Sequence, residues 1–285
     1  MSKRNSITIR AAQPADRDAV FAMVATVWDG TDYIPLVWEE WLHATDGPML
    51  VGVRGGLPVT LCKLTGLGPH EDWLEGVRVA PECRGQGLAR AMVHEVIDIS
   101  RGRGKRTLRF QTSELNPTMH RLADELGFDL AYAPDLYAAP PIIAEPAYVS
   151  LDPSHGPDLL ADMEQSPLLQ LTGGQYSYGW TAFDFTAERL HEHLAAGAVV
   201  GLPGERAWAI IDQASRGGFW IAHAEGPNEQ LAHLFHALRH TRQPIEGTNQ
   251  ARAHVPASAP LVAALIEVGY VKDDHGARVY EYQFS

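Results

Sequence analysis

The feature that most constrains the fold is a short glycine-rich loop between a predicted strand and a predicted helix. The strand is expected over residues 73–79 and the helix over 88–100, and the loop between them contains Arg84-Gly85-Gln86-Gly87. Glycines let successive backbone N–H groups turn toward one point, and the helix N-terminus adds the positive end of its dipole. The segment therefore predicts an anion site in a fold that mixes strands and helices, with an ordinary glycine turn as the alternative.

Two other kinds of phosphate-binding loop are excluded by the residues themselves. A dinucleotide-binding pattern needs a third glycine or alanine at the position where Arg90 stands. A P-loop needs Gly-Lys followed by Ser or Thr, and this tripeptide does not occur in the chain. The glycine-rich loop therefore belongs to neither of these two classes of phosphate-binding loop.

The order of predicted elements recurs along the chain. With 285 residues the chain is long enough for two domains of ordinary size. A proline-rich stretch over 139–157 reads as a linker, and residues 258–270 align with 116–128 so that Gly269-Tyr270 matches Gly127-Phe128. We therefore expect one domain over residues 1–145 and a second over residues 146–285.

Residues 74–89 resemble the acyl-CoA-binding motif of the GNAT superfamily of N-acyltransferases. The family pattern is Gln or Arg, two residues, Gly, one residue, and then Gly or Ala, which Arg84, Gly87 and Ala89 meet. Residues 116–128 are similar to the family's second cofactor-side motif. The resemblance covers residues 6–139 and implies an α+β fold of two GNAT-like domains, each a mixed, mostly antiparallel sheet flanked by helices. In the second copy, the segment aligned with the glycine loop has one glycine and no arginine, so this copy is expected to be degenerate.

What the resemblance implies is transfer of an acetyl group from acetyl-CoA to a primary amine of a small molecule or peptide, without a metal. Backbone amides from Arg84 to Arg90 would hold the pyrophosphate, and the pantetheine arm would pair with the strand at Val77 and Val79. The implied cofactor-binding residues are Val77, Val79, Arg84, Gly85, Gln86, Gly87, Leu88, Ala89, Arg90 and Asn116. Arg90 is equally well explained as a solvated surface residue.

Glu75 is the expected proton acceptor for the amine. The two-residue alternation of a strand predicts that it lies on the same face as Val77 and Val79, near the proposed thioester site. The alternative is a structural glutamate held in a salt bridge.

The residue that donates a proton to the leaving thiolate is predicted less directly. The family's usual donor is a tyrosine seven residues after Asn116, and here that position is Ala123. His120 shares a helix face with both and is the candidate replacement. A water molecule, and the tyrosines Tyr132, Tyr137, Tyr176 and Tyr178, remain alternatives.

The acceptor amine is expected to meet the loop that follows the first helix. Trp28, Asp32 and Tyr33 are the candidate substrate-binding residues, since a carboxylate attracts an ammonium group and aromatic rings stack over it. A plain polar turn is the alternative.

Charge and cysteine content restrict the setting in which the protein acts. The formal charge of −12 disfavours a nucleic-acid partner, and two cysteines in a chain of this length favour a reducing compartment. No apolar segment predicts a signal peptide or a membrane span, so a cytoplasmic protein is expected. The sequence is compatible with a homodimer.

Two other functions stay open. A non-catalytic acyl-CoA-binding sensor or regulatory protein would keep the glycine-rich loop but not the catalytic proton donor. Ala123, at the position of the family's tyrosine, fits this alternative. A transferase that uses aminoacyl-tRNA is possible by fold analogy, but it predicts a large basic surface.

Overall fold

The computed structural model describes residues 7–213, 218–243 and 251–285, in which strands and helices alternate. In the first half the elements are β1 (Thr8–Ala11), α1 (Arg17–Val24), α2 (Ile34–His43), β2 (Met49–Arg54), β3 (Leu57–Gly66), β4 (Glu71–Val79), α3 (Leu88–Gly102), β5 (Thr107–Ser113), α4 (Pro117–Leu126), β6 (Asp129–Tyr132) and β7 (Asp135–Ala139). In the second half they are β8 (Ile142–Ile143), β9 (Val149–Ser150), α5 (Gly156–Glu164), α6 (Pro167–Leu171), β10 (Gln175–Tyr178), β11 (Thr181–Asp184), α7 (Ala187–Ala195), β12 (Val199–Gly201), β13 (Trp208–Gln213), β14 (Phe219–Glu225), α8 (Asn228–Leu238), β15 (His240–Thr241), β16 (Ala251–Val255), α9 (Val262–Glu267), β17 (Val271–Lys272) and β18 (Ala277–Gln283).

Most of the strands form two seven-stranded sheets. The first has the strand order β1-β2-β3-β4-β5-β18-β6, and the second has the order β17-β7-β16-β14-β13-β12-β9. Each contains a short parallel pair among antiparallel neighbours: Glu71–Trp73 lies along Thr107–Arg109, and Phe219–Ile221 lies along Ala251–Ala253. The predicted α+β class, with a mixed, mostly antiparallel sheet in each half, is confirmed.

The two aligned segments end their helices in the same way. After α4, Gly127 has a φ of +80°, and after α9, Gly269 has a φ of +86°. In both cases the N–H of the next aromatic residue donates back into the helix at 3.0 Å, from Phe128 to Ala123 and from Tyr270 to Leu265. Only glycine adopts this backbone conformation without steric cost, which explains why the residue type recurs at both positions.

The core of the first half lies on both faces of its sheet. One face packs against α1 and α2, with Ile34, Trp38 and Leu61 fully buried. The opposite face packs against α3 and α4, with Leu74 and Met92 fully buried. Helix α3 contributes Leu88, Met92 and Val96 from one side, as its helical spacing predicts.

By its contacts the chain divides into two compact units at several positions. The first unit is built from residues up to Phe110, Thr118–Asp129 and Tyr280–Ser285, and the second from Gln111–Pro117 and Leu130–Val279. The expected division lay only between residues 145 and 146. The difference arises because β7 pairs with β16 in the second sheet, while the end of β18 belongs to the first unit.

The helices are short. Helix α3 has 15 residues, fewer than the roughly 20 needed to cross a bilayer. Within the described ranges, no helix is both long and apolar enough to span a membrane.

Candidate functional site

The site in the first unit is built around a bulge in β4. Gly76 has a φ of +66°, and a Cβ at this position would lie 2.7 Å from the ring of Trp41. The pairing of β4 with β5 ends at Trp73 and Arg109, just before the bulge. Beyond that point β4 keeps its pairing with β3 up to Val79. Its other edge therefore offers backbone N–H and C=O groups to an extended ligand.

The bulge changes which side chains share a face of β4. Glu75 lies opposite Lys63 and Arg78 lies opposite Leu61, so Glu75 and Arg78 share one face. Val77 packs in the cluster on the opposite face. The expectation that Glu75 and Val77 share a face is therefore wrong, because the extra residue at Gly76 breaks the two-residue alternation.

The loop after β4 leaves a row of backbone amides without backbone acceptors. Gly85 and Gly87 have φ values of +71° and +78°, and an added Cβ at either would meet nothing within 4 Å. In helix α3, the backbone hydrogen bonds described begin with the Ala91 N–H, which donates to the Gly87 carbonyl at 3.1 Å. Among the described contacts, the amides of residues 85–90 thus have no backbone acceptor. They suit a diphosphate, which accepts several hydrogen bonds at a helix N-terminus.

Side chains of the loop fold back and brace it. The Arg84 guanidinium donates to the Val79 carbonyl at 3.3 Å. The Gln86 amide donates to the Glu82 carbonyl at 3.2 Å and accepts from Arg54 at 2.7 Å. These contacts hold the loop open without occupying its amides.

Arg90, on the first turn of α3, forms an ion pair with Glu125 of α4. Both side chains are about half exposed, at 52% and 41%, so this pair contributes little to stability and exchanges easily. The predicted reach of Arg90 to a nucleotide phosphate stays a prediction.

Glu75 lies in a half-buried position with a defined partner. The Thr65 hydroxyl donates to its carboxylate at 3.1 Å. Burial raises the pKa of the Glu75 carboxyl, an effect that the Thr65 hydrogen bond and the charge of Lys63 offset only in part. A carboxyl group whose pKa is moved toward neutrality is suited to accept a proton from an amine.

The three predicted substrate-binding residues come together around an arginine that the sequence did not single out. Arg78 donates to the Asp32 carboxylate through Nε at 2.7 Å and to the Val77 carbonyl through Nη1 at 3.2 Å. Its guanidinium lies 4.6 Å from the Trp28 ring centroid and 5.4 Å from that of Tyr33. The cation in contact with these two rings is therefore part of the protein, and the 7% exposed Asp32 is already paired.

His120 lies on α4 next to a tyrosine from the last strand of the first sheet. Its Nδ1 and the Tyr280 hydroxyl are 3.1 Å apart. Tyr280 is 4% exposed and stacks on Phe110 at a centroid distance of 5.3 Å. Ala123, at the family's tyrosine position, is buried in the same cluster. A phenol therefore lies near the predicted donor, although it comes from a different element.

Asn116 lies at the start of α4, and its side-chain amide donates to the Thr112 hydroxyl at 3.0 Å. By contacts it belongs to the second unit. Its predicted role in cofactor binding stays a prediction.

The corresponding loop of the second unit is built differently. Gly226 has a φ of +139°, and a Cβ there would lie 2.7 Å from the Ala207 backbone. A groove of about 580 Å³ borders this loop, lined by two carboxylates, Asp162 and Glu225, and one guanidinium, that of Arg206. Crowded backbone and paired carboxylates are unfavourable to a pyrophosphate.

In the described part of the chain, no group of three or more histidine, cysteine and carboxylate side chains could hold a metal ion. The histidines at 233 and 236 lie on the exposed side of α8.

Comparison with known proteins agrees with this geometry. Residues 18–128 match the model of the acetyltransferase (GNAT) family. A histidine N-acetyltransferase of Oreochromis niloticus is 29% identical over 93 residues, which are 32% of this chain and 28% of that protein. A histidine N-acetyltransferase of Scomber australasicus is 33% identical over 79 residues, which are 27% of this chain and 23% of that protein. The matches thus span about a quarter of the length of these two relatives.

Solved structures match over nearly the whole chain. A GCN5-related N-acetyltransferase from Sphaerobacter thermophilus covers 99% of this chain and 96% of its own, with a TM-score of 0.64 at 13% identity. A protein from Thermoplasma acidophilum covers 98% of this chain and 100% of its own, with a TM-score of 0.67 at 18% identity. At these identities the likeness shows the fold.

Proposed function

The chain carries a GNAT acetyltransferase domain over residues 18–128, and from this premise we propose that it transfers an acetyl group from acetyl-CoA to a primary amine of a small molecule or peptide. The observation that carries the proposal is the row of amides at residues 85–90, beside the free edge of β4. Such a row binds a diphosphate, and such an edge binds an extended amide chain. Both chemical groups occur in coenzyme A.

In the proposed reaction, residues of the first unit hold the donor and move two protons. The amides of residues 85–90 bind the pyrophosphate, and the edge of β4 at Val77 and Val79 binds the pantetheine arm. When bound, acetyl-CoA supplies the acetyl group as a thioester. A backbone N–H of this strand meets the thioester oxygen, where negative charge develops.

Glu75 accepts the proton that the ammonium must lose before its nitrogen attacks the acyl carbon. Its raised pKa matches this task, since a carboxylate of ordinary pKa is a weak acceptor at neutral pH. His120 donates the proton that the leaving sulfur takes up as the carbon–sulfur bond breaks, and it regains a proton from the nitrogen, which loses its second proton as the amide forms. The Tyr280 hydroxyl at 3.1 Å fixes the orientation of its ring.

The names of the curated relatives point to one class of amine. Two proteins that match about 30% of this chain are histidine N-acetyltransferases. An α-amino acid is therefore the first acceptor to try, followed by polyamines, aminoglycosides and peptide N-termini.

A thiol-release assay with acetyl-CoA and a panel of amines tests the proposal, with acetyl-CoA binding measured separately by calorimetry. We expect thiol release that depends on the added amine. Binding of acetyl-CoA without amine-dependent release would contradict the proposal and favour the non-catalytic acyl-CoA sensor, for which Ala123 at the family's tyrosine position is the motivating observation.

A further inference from the structure

We infer that the acceptor carries a carboxylate beside its amine, and that Arg78 is the residue that binds this carboxylate. The inference rests on the proposed function and narrows the substrate class to free amino acids. It starts from the finding that Trp28 and Tyr33 both already contact a cation of the protein itself.

Arg78 is held firmly enough to act as a fixed recognition group. Its Nε and Nη2 approach the two oxygens of Asp32 at 2.7 and 3.4 Å, and its Nη1 donates to the Val77 carbonyl at 3.2 Å. Trp28 and Tyr33 lie stacked at 6.2 Å with an angle of 21° between their rings. A guanidinium that is paired and stacked loses little further freedom when it binds a ligand.

The donor count leaves room for one more acceptor. A guanidinium has five N–H groups in one plane. Asp32 and the Val77 carbonyl account for three of these in the described contacts, and the Tyr33 hydroxyl also interacts with the guanidinium. A terminal N–H that is left can donate to an oxygen of a ligand carboxylate, which is a charge-assisted hydrogen bond.

The backbone of the loop supports this reading. Trp28 and Asp29 have φ values of +48° and +54°, which is unusual for two consecutive residues other than glycine. Strained backbone of this kind persists only where the surroundings hold it, and it concentrates at ligand sites. Here the strain brings the Trp28 ring over Arg78.

The proton acceptor faces the same place. Glu75 and Arg78 share one face of β4 because of the bulge at Gly76. Burial raises the pKa of Tyr33, whose phenol also feels the charges of Arg78, Glu75 and Asp32. A ligand bound against this face of β4 would meet a carboxylate at one end and a guanidinium at the other.

This arrangement selects between classes of amine. An amino acid matches it, with its ammonium at Glu75 and its carboxylate at Arg78. A polyamine would bring a second positive charge toward Arg78, and a peptide N-terminus has an amide where the carboxylate is needed. Both are therefore expected to be poorer acceptors.

The test compares acceptors that differ only in the carboxylate. Histidine is compared with histidinamide and histamine, and leucine with leucinamide and isopentylamine, in the thiol-release assay. We expect kcat/KM for the two free amino acids to exceed that for their amides roughly 10- to 100-fold, as for loss of a hydrogen bond to a charged group. Equal kcat/KM for acids and amides would overturn the inference while leaving the proposed acetyl transfer intact.

Two variants distinguish loss of carboxylate binding from a general loss of activity. Arg78→Gln is expected to lower kcat/KM for the amino acids much more than for the amides, so that the ratio between acid and amide falls toward one. Arg17→Gln is the matched control, since this arginine is half exposed on α1 and contacts only Asp18 and Phe21 among the described contacts. An equal loss for acids and amides in Arg78→Gln would contradict the inference.

Two further experiments test the inference if Arg78→Gln does not fold or if no amine reacts. If Arg78→Gln leaves Asp32 buried and does not fold, the double variant Asp32→Asn with Arg78→Gln removes both charges together. If no amine releases thiol although acetyl-CoA binds, the proposed function fails, and calorimetry with leucine and leucinamide then decides the inference. Equal affinity for the two would overturn it.

Discussion

At the scale of single residues, the burial of Glu75 has opposite effects on the stability of the protein and on its proposed activity. Burial raises the pKa of its carboxyl, so the folded protein holds a proton there at pH values at which the unfolded chain has released it. The stability that this group contributes is therefore lost as pH rises from the ordinary glutamate pKa through the raised one. The same shift makes the carboxylate a better proton acceptor, so activity and stability compete at this residue.

We predict that Glu75→Gln lowers kcat/KM about 100-fold or more, because the amide cannot accept the proton. The same variant is expected to raise the thermal unfolding midpoint at pH 7.5, with a smaller gain at pH 4. Activity assays and thermal unfolding at the two pH values measure both. Glu39→Gln removes a 71% exposed carboxylate on α2 and is the control. A Glu75→Gln variant with unchanged activity would show a purely structural glutamate.

The pair of His120 and Tyr280 gives a second prediction at this scale. Tyr280→Phe keeps the ring stacked on Phe110 and removes only the hydroxyl that lies 3.1 Å from His120. We expect kcat to fall about three- to tenfold, the cost of one hydrogen bond, with a shifted alkaline limb of the pH profile. Tyr282→Phe on the same strand is the control, and a pH profile unchanged in Tyr280→Phe would argue against a role for this contact.

At the scale of elements, the junction of β4 and α3 can be tested with two matched glycines. Gly87 and Gly104 have φ values of +78° and +70°, and a Cβ at either meets nothing within 4 Å. The backbone strain of a substitution should therefore be alike, on the order of 1 kcal/mol. Only Gly87 borders the row of amides.

We predict that Gly87→Glu abolishes acetyl-CoA binding in calorimetry, since the new carboxylate lies where a phosphate must approach. Gly104→Glu, which follows α3 at its other end, is expected to bind acetyl-CoA normally with a similar loss of stability. Unchanged affinity in Gly87→Glu would mean that the pyrophosphate binds elsewhere.

Sequence patterns predicted the elements well where periodicity was strong. The strand predicted over 73–79 lies within β4, and the helix predicted from Leu88 agrees with α3. The bulge at Gly76 was not predictable, because a glycine in a strand has several uses and its φ depends on the packing of Trp41. For that reason the two-residue alternation placed Val77 on the face of Glu75, and Arg78 was missed as a site residue.

At the scale of the whole molecule, pH acts on the second unit through two histidines. Burial lowers the pKa of His193 and of His254 to about 4 in each case. His193 accepts or donates a hydrogen bond with the Tyr176 hydroxyl at 2.8 Å, and His254 lies between the rings of Trp180 and Trp220. The unfolded chain binds these protons more readily, so stability is lost as pH falls below about 6.5 toward 4.

We predict that the loss amounts to a few kcal/mol at the acid end of this window. Urea unfolding at pH 7 and pH 5 measures it. His193→Gln and His254→Gln should each reduce the difference between the two pH values, whereas His233→Gln, on the exposed side of α8, should leave it unchanged. If neither His193→Gln nor His254→Gln changed the difference in unfolding free energy between pH 7 and pH 5, these two histidines would not cause the loss of stability.

The recurrence of the fold could be predicted from the sequence, but the exchange of strands could not. The aligned glycines at 127 and 269 indicated a repeated helix end, which the structure contains. The expected boundary assigned all residues after 145 to the second domain, and nothing in the alternation of residues 279–284 shows which sheet they join. That choice depends on distant partners such as Arg109, whose guanidinium pairs with Glu281, and so Tyr280 was missed as a site residue.

The position of β18 in the first sheet also has a consequence for synthesis. During translation β5 emerges about 160 residues before β18, which at 5–20 residues per second is a delay on the order of 10 to 30 s. Throughout this interval Phe110 lacks the Tyr280 ring, and Arg109 lacks the carboxylate of Glu281. The nascent first half therefore cannot form its contacts with β18 until the end of the chain is made. We expect it to depend on ribosome-associated chaperones more than a domain that folds from local sequence.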